Sequence, residues 1–574
     1  SLSKTGGHLA SNLGTVELTV ALDRVYDPYR DRIVFDVGHQ CYTHKLLTGR
    51  REGFEKLRKY GGISGFPKPS ESEADAFIAG HASNSVSVAL GMTRARTRLG
   101  GDYDVVAVIG DGALTGGLAY EGLSNAGQSG EPLVVILNDN AMSIGSNVGG
   151  MARLLSRMRV KPGYFAFKRW YRSTVGQVKP VYDIAHRVKE GVKGAILPEN
   201  MFDDLGFYYL GPIDGHDVAA LESAIAWARD MRVPVLLHVI TQKGRGCSFA
   251  EADPEKYHGV GPFDPVTGAI KKGAESFSAA VGAALCREAE RDERVAALTA
   301  AMAEGTGLAR FARRFPERFF DTGIAEGHTV SMAAGMAKQG MLPVACVYSS
   351  FLQRGFDMLI HDVALLHLHV VFGVDRAGLV GEDGYTHHGV FDFSYLRLIP
   401  QITIMAPKDE NELRHMLATA VKFNGPVALR YPRGSEGEYT DGGADAFKVL
   451  REGTDVTIAA YGTMINEAVK AAESLANEGV SAKVVKLGRV LPLDAEPVLA
   501  AAKATGRLVV AEEVCASGCI GGRILASAGG EAGFKCRLLN LGESIVGQGG
   551  TDKLRSLAGI DAAGIAAAAK ELMA

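Results

Sequence analysis

Residues 105–117 read VVAVIGDGALTGG, an apolar strand-like run that breaks into glycines around a single acid, Asp111. Glycine-rich loops after strands cradle phosphate with backbone N–H groups. A carboxylate in the middle of such a loop repels phosphate unless a cation lies between the two. The residues allow three readings. A dinucleotide fingerprint wants G-x-G-x-x-G and an acid about 20 residues further on. Here Gly110 and Gly112 are followed by Gly116 and Gly117, and the next strand end, ILNDN (136–140), comes too late. Alternatively, Asp111 caps the helix that follows. In the third reading it is half of a metal-bridged diphosphate site with Asn140, 29 positions on. In a parallel sheet both residues project at the carboxyl edge, where ligands bind. One carboxylate, one amide oxygen, a backbone carbonyl and two phosphate oxygens make a suitable octahedral set for Mg2+. The residues alone leave the cap and the metal site open.

Outward from this loop, strand candidates are 32–37, 104–109, 132–138, 233–241, 318–321, 342–348, 368–374, 401–406 and 427–431. Helical patterns lie between many of them, for example 83–98, 117–126, 218–231 and 411–423. This alternation predicts α/β units with parallel sheets. A faint repeat pairs 131–150 with 368–384 and 233–246 with 425–434, which predicts two α/β domains of common design. A third βαβαβ unit starts near Gly453. The expected domains are 1–270, 271–440 and 441–574. The basic, aromatic segment 151–205 (RMRVKPGYFAFKRWYR at its centre) reads as a surface excursion or mobile cover.

The 574 residues fit three or four domains. A net charge of −3 argues against a nucleic-acid binder, and 47% apolar with 22% charged residues reads as soluble globular protein. No apolar stretch approaches the roughly 20 residues that span a membrane. The seven cysteines are scattered, odd in number and free of any CxxC, which reads as reduced thiols in a cytoplasmic compartment.

GDG followed by NDN resembles the diphosphate motif of thiamine-diphosphate enzymes of the transketolase superfamily. The resemblance narrows with GGHLASNLGTVELTVAL (6–22), DVGHQCYTHKLLTGR (36–50), GDGALTGGLAYEGLSNAG (110–127), LNDNAMSI (137–144) and YLGPIDGHD (209–217). It continues through FDTGIAEGHTVSMAAGMA (320–337), YSSFLQRGFD (348–357), DRAGLVGEDGYTHHG (375–389) and RYPRG (430–434). These nine ordered blocks are similar to those of the 1-deoxy-D-xylulose-5-phosphate synthases. That family starts some tens of residues earlier, so the resemblance implies further residues before Ser1. It also implies three α/β domains with mainly parallel sheets, a thiamine-diphosphate-binding, transketolase-like fold plus a C-terminal domain, paired as a homodimer. The reaction implied joins pyruvate to D-glyceraldehyde 3-phosphate with loss of CO2, giving 1-deoxy-D-xylulose 5-phosphate for isoprenoid precursors, thiamine and pyridoxal.

By the same resemblance, Mg2+ falls to Asp111, Asn140 and the backbone carbonyl of Met142. Gly112 and Ala113 offer N–H groups to the diphosphate, and His39, Gly80, His81, Ala82, Lys243 and Cys247 occupy cofactor-contacting positions. Glu326 matches the glutamate that bonds the aminopyrimidine, and Phe351 the ring stacked on it. Arg376 and Arg433 match positions that bind the acceptor's phosphate, with Tyr348 and Arg354 nearby; arginine suits phosphate through its paired charged hydrogen bonds. His8, His258 and His387 match active-site histidines, with Asp383 beside the acceptor hydroxyl region. Imidazole is apt for proton transfer because its ordinary pKa is about 6.5.

Three positions depart from the family pattern: Ala82 stands for serine, Cys247 for an aromatic residue and Gly327 for glutamine. They predict altered cofactor affinity with the chemistry retained. The alternatives are a transketolase, with the same machinery and a ketose donor, and a non-catalytic regulatory subunit that keeps the fold.

Overall fold

The strand that runs into Asp111 lies inside a five-stranded parallel sheet. Its members are β1 (Arg32–Phe35), β2 (Val105–Gly110), β3 (Val134–Asp139), β4 (Tyr208–Asp214) and β5 (Val235–Ile240), in the order β1-β2-β3-β5-β4. The computed structural model describes residues 1–142, 148–159, 200–270, 275–440, 443, 445–529 and 533–574. β2 and β3 are apolar throughout because helices cover both faces of the sheet. Val105, Ala107 and Ile109 pack under the helices Ser85–Leu99 and Gly117–Ser129, while Val106 and Val108 face Val16–Val25 and Val218–Asp230. Each large aliphatic side chain buried this way contributes about 1.5–3 kcal/mol.

The second sheet holds β6 (Val295–Thr299), β7 (Phe319–Asp321), β8 (Leu342–Tyr348), β9 (Val371–Asp375), β10 (Thr403–Met405) and β11 (Val427–Arg430), all parallel. The third holds β12 (Phe447–Arg451), β13 (Val456–Ala460), β14 (Ala482–Leu487), β16 (Arg507–Ala511) and β17 (Lys535–Leu539). Between β14 and β16 the chain places β15 (Arg489–Leu491) antiparallel to β10. The middle sheet therefore runs β15-β10-β11-β9-β8-β6-β7 and is closed at one edge by a strand from further down the chain. That strand occupies backbone groups that an open edge would expose.

Of the excursion expected at 151–205, residues 160–199 lie outside the described residues. Gly149–Arg159 is a helix, and Met151 and Leu155, four apart, pack into the first core.

Candidate active site

Three chain segments after β2, β3 and β5 build one end of the site. The N–H of Asp111 donates to the carbonyl of Asn138 at 3.1 Å, so the glycine loop is stitched to the neighbouring strand. The carboxylate is 1% exposed and does not cap the following helix. The N-cap there is Gly116, with no side-chain cap bond, which removes the capping reading. Lys243 is buried beside this acid; burial lowers its pKa to about 8, and Asp111 works in the opposite direction. At the end of β3, Asn140 Oδ1 accepts the N–H of Met142 at 3.1 Å across Ala141, whose φ of 66° is left-handed. That bond fixes the turn and leaves the amide oxygen a second lone pair. Among the described residues no three His, Cys, Asp or Glu side chains are grouped to hold a metal. The donor set at this end is one carboxylate with amide and carbonyl oxygens, which suits a hard cation completed by diphosphate oxygens.

The GHA turn (80–82) reaches this end through Ser83. Its N–H and that of Ser85 donate to the buried carboxylate of Asp36 at 2.7 and 3.0 Å, and its hydroxyl donates to the carbonyl of Ala113 at 2.7 Å. Gly80 is left-handed, at φ 153°, and a Cβ there would stand 2.4 Å from Thr386 Oγ1. Beside it, His81 Nε2 lies 2.7 Å from the carbonyl of Thr386. The first unit thus meets the loop after β9 at close range.

The second end comes from the middle sheet. Glu326 opens the helix Glu326–Lys338 and is 4% exposed. Burial raises its pKa; Arg354, with Nη1 at 3.6 Å, opposes the rise. Nη2 of the same arginine donates to the carbonyl of Ala82. Two residues before Glu326, the N–H of Ile324 donates to Thr115 Oγ1 at 3.0 Å, four residues after Asp111. The ring of Phe351 stands at 90° to His81 at 5.2 Å, lies nearly parallel to Tyr348 at 5.6 Å, and meets His387 at 5.5 Å. The guanidinium of Arg376 sits over the Tyr348 ring at 3.6 Å.

His8, His39 and His258 come together with ring centroids 5.0 to 5.8 Å apart. His387 stacks on Phe66 at 4.8 Å. Nδ1 of His8 and of His39 are buried with no hydrogen-bond partner among the described residues. Ser11 Oγ is 3.2 Å from His258 Nδ1, and Thr386 Oγ1 is 2.9 Å from His387 Nδ1. Burial works against titration of these imidazoles near neutrality. Burial, with Arg58 nearby, lowers His8 to about 4; burial lowers His387 to about 3 and holds His39 and His258 well below their ordinary value. In all four, burial favours the neutral imidazole.

Asp383 is clamped between two arginines: Arg58 Nη2 at 2.5 Å and Arg433 Nη1 at 3.1 Å. Burial would raise its carboxyl, but the two guanidinium groups hold it well below the usual range. Arg58 and Phe66 were not legible in the sequence. Arg58 sits in EKLRKYGG (55–62), which looks like a solvated basic run; its left-handed φ of 65° accompanies a buried position, 7% exposed. Cys247 follows Lys243 by four residues. It precedes the short helix Ser248–Ala252 and packs on the cluster of Ala10, Ala250, Tyr257 and Val260.

Two parallel-sheet units that press a glycine loop with a buried acid against a buried glutamate define a transketolase-type α/β fold. Residues 1–241 match the family model of 1-deoxy-D-xylulose-5-phosphate synthase. Residues 274–437 match the transketolase pyrimidine binding domain, and 445–565 the transketolase C-terminal domain. The 1-deoxy-D-xylulose-5-phosphate synthase of Desulforudis audaxviator is 50% identical over 573 residues, covering 98% of this chain and 90% of that protein. The 1-deoxy-D-xylulose-5-phosphate synthase 1 of Geobacter sulfurreducens is 48% identical over 589 residues, covering 100% and 92%. The chain belongs to the 1-deoxy-D-xylulose-5-phosphate synthase family, thiamine-diphosphate-dependent transferases of the transketolase type.

Proposed function

We propose that this chain joins pyruvate to D-glyceraldehyde 3-phosphate with release of CO2, in a site between the first and second units of one chain. The observation that carries the proposal is the Ile324–Thr115 hydrogen bond, which ties the Asp111 loop to the Glu326 helix start. Thiamine diphosphate, when bound, supplies the decarboxylating and carbon–carbon bond-forming chemistry. Asp111, Asn140 and the Met142 carbonyl would hold Mg2+ on its diphosphate, with Gly112, Ala113 and Lys243 beside the phosphates. The orphaned Nδ1 atoms of His8 and His39 fit a polar ligand that brings hydrogen-bonding groups of its own.

Glu326 keeps its proton more readily than an exposed glutamate because burial disfavours the carboxylate. It is therefore suited to hold a proton against a ring nitrogen. Phe351 and His81 would wall the ring, and Arg354 ties Glu326 to the GHA turn. His8, His258 and His387, whose burial favours the neutral imidazole, would take a proton or accept a hydrogen bond from substrate. Arg376 and Arg433 would bind the acceptor's phosphate, and Asp383 would set the position of Arg433 while facing the acceptor hydroxyls.

The same proposal covers the domain limits 1–270, 271–440 and 441–574, supported by the three sheets, and a homodimer. It also covers a cytoplasmic location, supported by the absence of any disulfide among the seven cysteines. No helix among the described residues is long and apolar enough to cross a membrane.

The test is incubation of the purified protein with pyruvate, glyceraldehyde 3-phosphate, Mg2+ and thiamine diphosphate. CO2 release matched by 1-deoxy-D-xylulose 5-phosphate is the expected result. Turnover only with a ketose phosphate as donor would make the protein a transketolase, and turnover of neither would make it a non-catalytic subunit.

A further inference from the structure

The loop that carries Arg376, Asp383 and His387 has little structure of its own. Beyond the 3-10 turns at Gly381–Thr386 and the two backbone bonds that join Gly378 to Gly389 at its base, it is held from outside. On the side away from the histidines the holder is the third unit. Glu513 Oε1 accepts the N–H of Leu379 at 2.7 Å, and Glu513 is itself fixed by Arg555 Nε at 2.5 Å. His388 Nδ1 accepts the N–H of Val380 at 3.1 Å, and its Nε2 donates to the carbonyl of Gly547 at 3.0 Å. The N–H of Gly549 donates to the carbonyl of Gly381 at 3.3 Å.

Gln548 stands at the centre of this contact. A Cβ on Gly384, whose φ is 73°, would lie 2.9 Å from the Cβ of Gln548, so the two backbones touch. The Gln548 side chain then passes the loop, and its Nε2 donates to the carbonyl of Gly62 at 2.7 Å in the first unit. Gly62 lies four residues after Arg58, and Arg58 N–H is bonded back to the carbonyl of Ile63 at 2.7 Å. One residue of the third unit thus touches both the segment bearing Arg58 and the loop bearing Asp383. Its burial, 7% exposed, makes the lost bond costly, because the Gly62 carbonyl would lose its donor.

We propose that Gln548 is a positioning residue of the acceptor site: it fixes the separation of the Arg58 segment and the Asp383 loop, and so the seat of Arg433. This rests on the reaction and the phosphate-binding role assigned above. Gln548 touches no reacting group; it acts through Gly62 and Gly384.

The experiment compares wild type with Gln548→Met, which keeps the side-chain volume but not the donor, and with Gln548→Ala. Both are assayed with D-glyceraldehyde 3-phosphate and with unphosphorylated D-glyceraldehyde as acceptors. The expected result is a KM for the phosphorylated acceptor raised about tenfold in both variants, from the loss of the part-buried hydrogen bond to Gly62. The KM for pyruvate should move less than about twofold, and the KM for D-glyceraldehyde clearly less than that for the phosphorylated acceptor. Equal losses for both acceptors would mean general loosening and would overturn the proposal, as would kinetics identical to wild type. Absence of wild-type turnover with pyruvate and the phosphorylated acceptor would instead refute the reaction itself.

Discussion

Raising the pH should loosen the first unit through one buried histidine. His44 lies within the short helix Tyr42–Leu47, with its side chain 1% exposed. Its Nδ1 is 3.2 Å from Asp23 Oδ1, and its Nε2 is 3.5 Å from Asp75 Oδ1. Burial alone would lower its pKa, but the two carboxylates overcome burial and raise it to about 9 from 6.5. The same contacts hold Asp75 below the carboxylate range, so the interaction is counted once. At about 1.4 kcal/mol per pH decade, the rise corresponds to about 3 kcal/mol of stability. Because the folded value lies above the unfolded one, this stability is fully present below about pH 6.5 and is lost as pH rises through about 9.

Asp75 also takes Arg50 in two bonds of 2.6 and 2.9 Å and the N–H of Lys68 at 2.7 Å, so it anchors the chain leading into the GHA turn. The assay is urea unfolding of wild type and His44→Gln at several pH values, followed by tryptophan fluorescence. Both tryptophans, Trp170 and Trp227, lie in the first 270 residues, so the signal reports on the first unit. The stability difference between the two proteins should shrink by about 3 kcal/mol between about pH 6.5 and 9. A difference that stays constant would refute the argument that His44 is charged in the folded state.

Three further outcomes follow from the site. Asp111→Ala should abolish Mg2+-dependent binding of thiamine diphosphate, measured by calorimetry; a loss confined to about 1 kcal/mol of stability would be the behaviour of a helix cap instead. Glu326→Gln keeps the shape of the buried side chain but not its acidic proton, so turnover should fall by about 10²–10⁴ while cofactor affinity changes little; near-wild-type turnover would remove Glu326 from the proton path. Asp383→Asn leaves Arg58 charged with its side chain 8% exposed, which should cost about 3–5 kcal/mol in urea unfolding; the partner Arg433, at 41% exposure, adds little because solvent screens it. A cost below about 1 kcal/mol would mean that Arg58 finds water or another partner.

The sheets were legible where strands are continuous apolar runs between glycines. β8 occurs at the residues expected, and β2, β3 and β5 differ only by a residue or two at their ends. β6 (VAALT) was missed because it is short and follows a charged helix, and β15 because three residues joining another unit's sheet carry no local signal. The faces of the site were legible as motifs. Their pairing was less so: Arg58 and Asp383 are 325 positions apart, and no periodicity or spacing relates them. The burial of the imidazoles was hidden for a similar reason. No local pattern shows that His8, His39 and His258 lie together and close to Arg58 or Lys243.

The central claim is that Asp111 and Glu326 of one chain serve the same site, as the Thr115–Ile324 bond between their loops supports. Coexpression of Asp111→Ala and Glu326→Ala chains, purified through two different tags as mixed dimers, tests it directly. If each site is built within one chain, every site in a mixed dimer carries one lesion and no activity returns. If the site were shared between chains, each mixed dimer would regain one intact site of its two, about half of wild-type activity, and the account would be wrong.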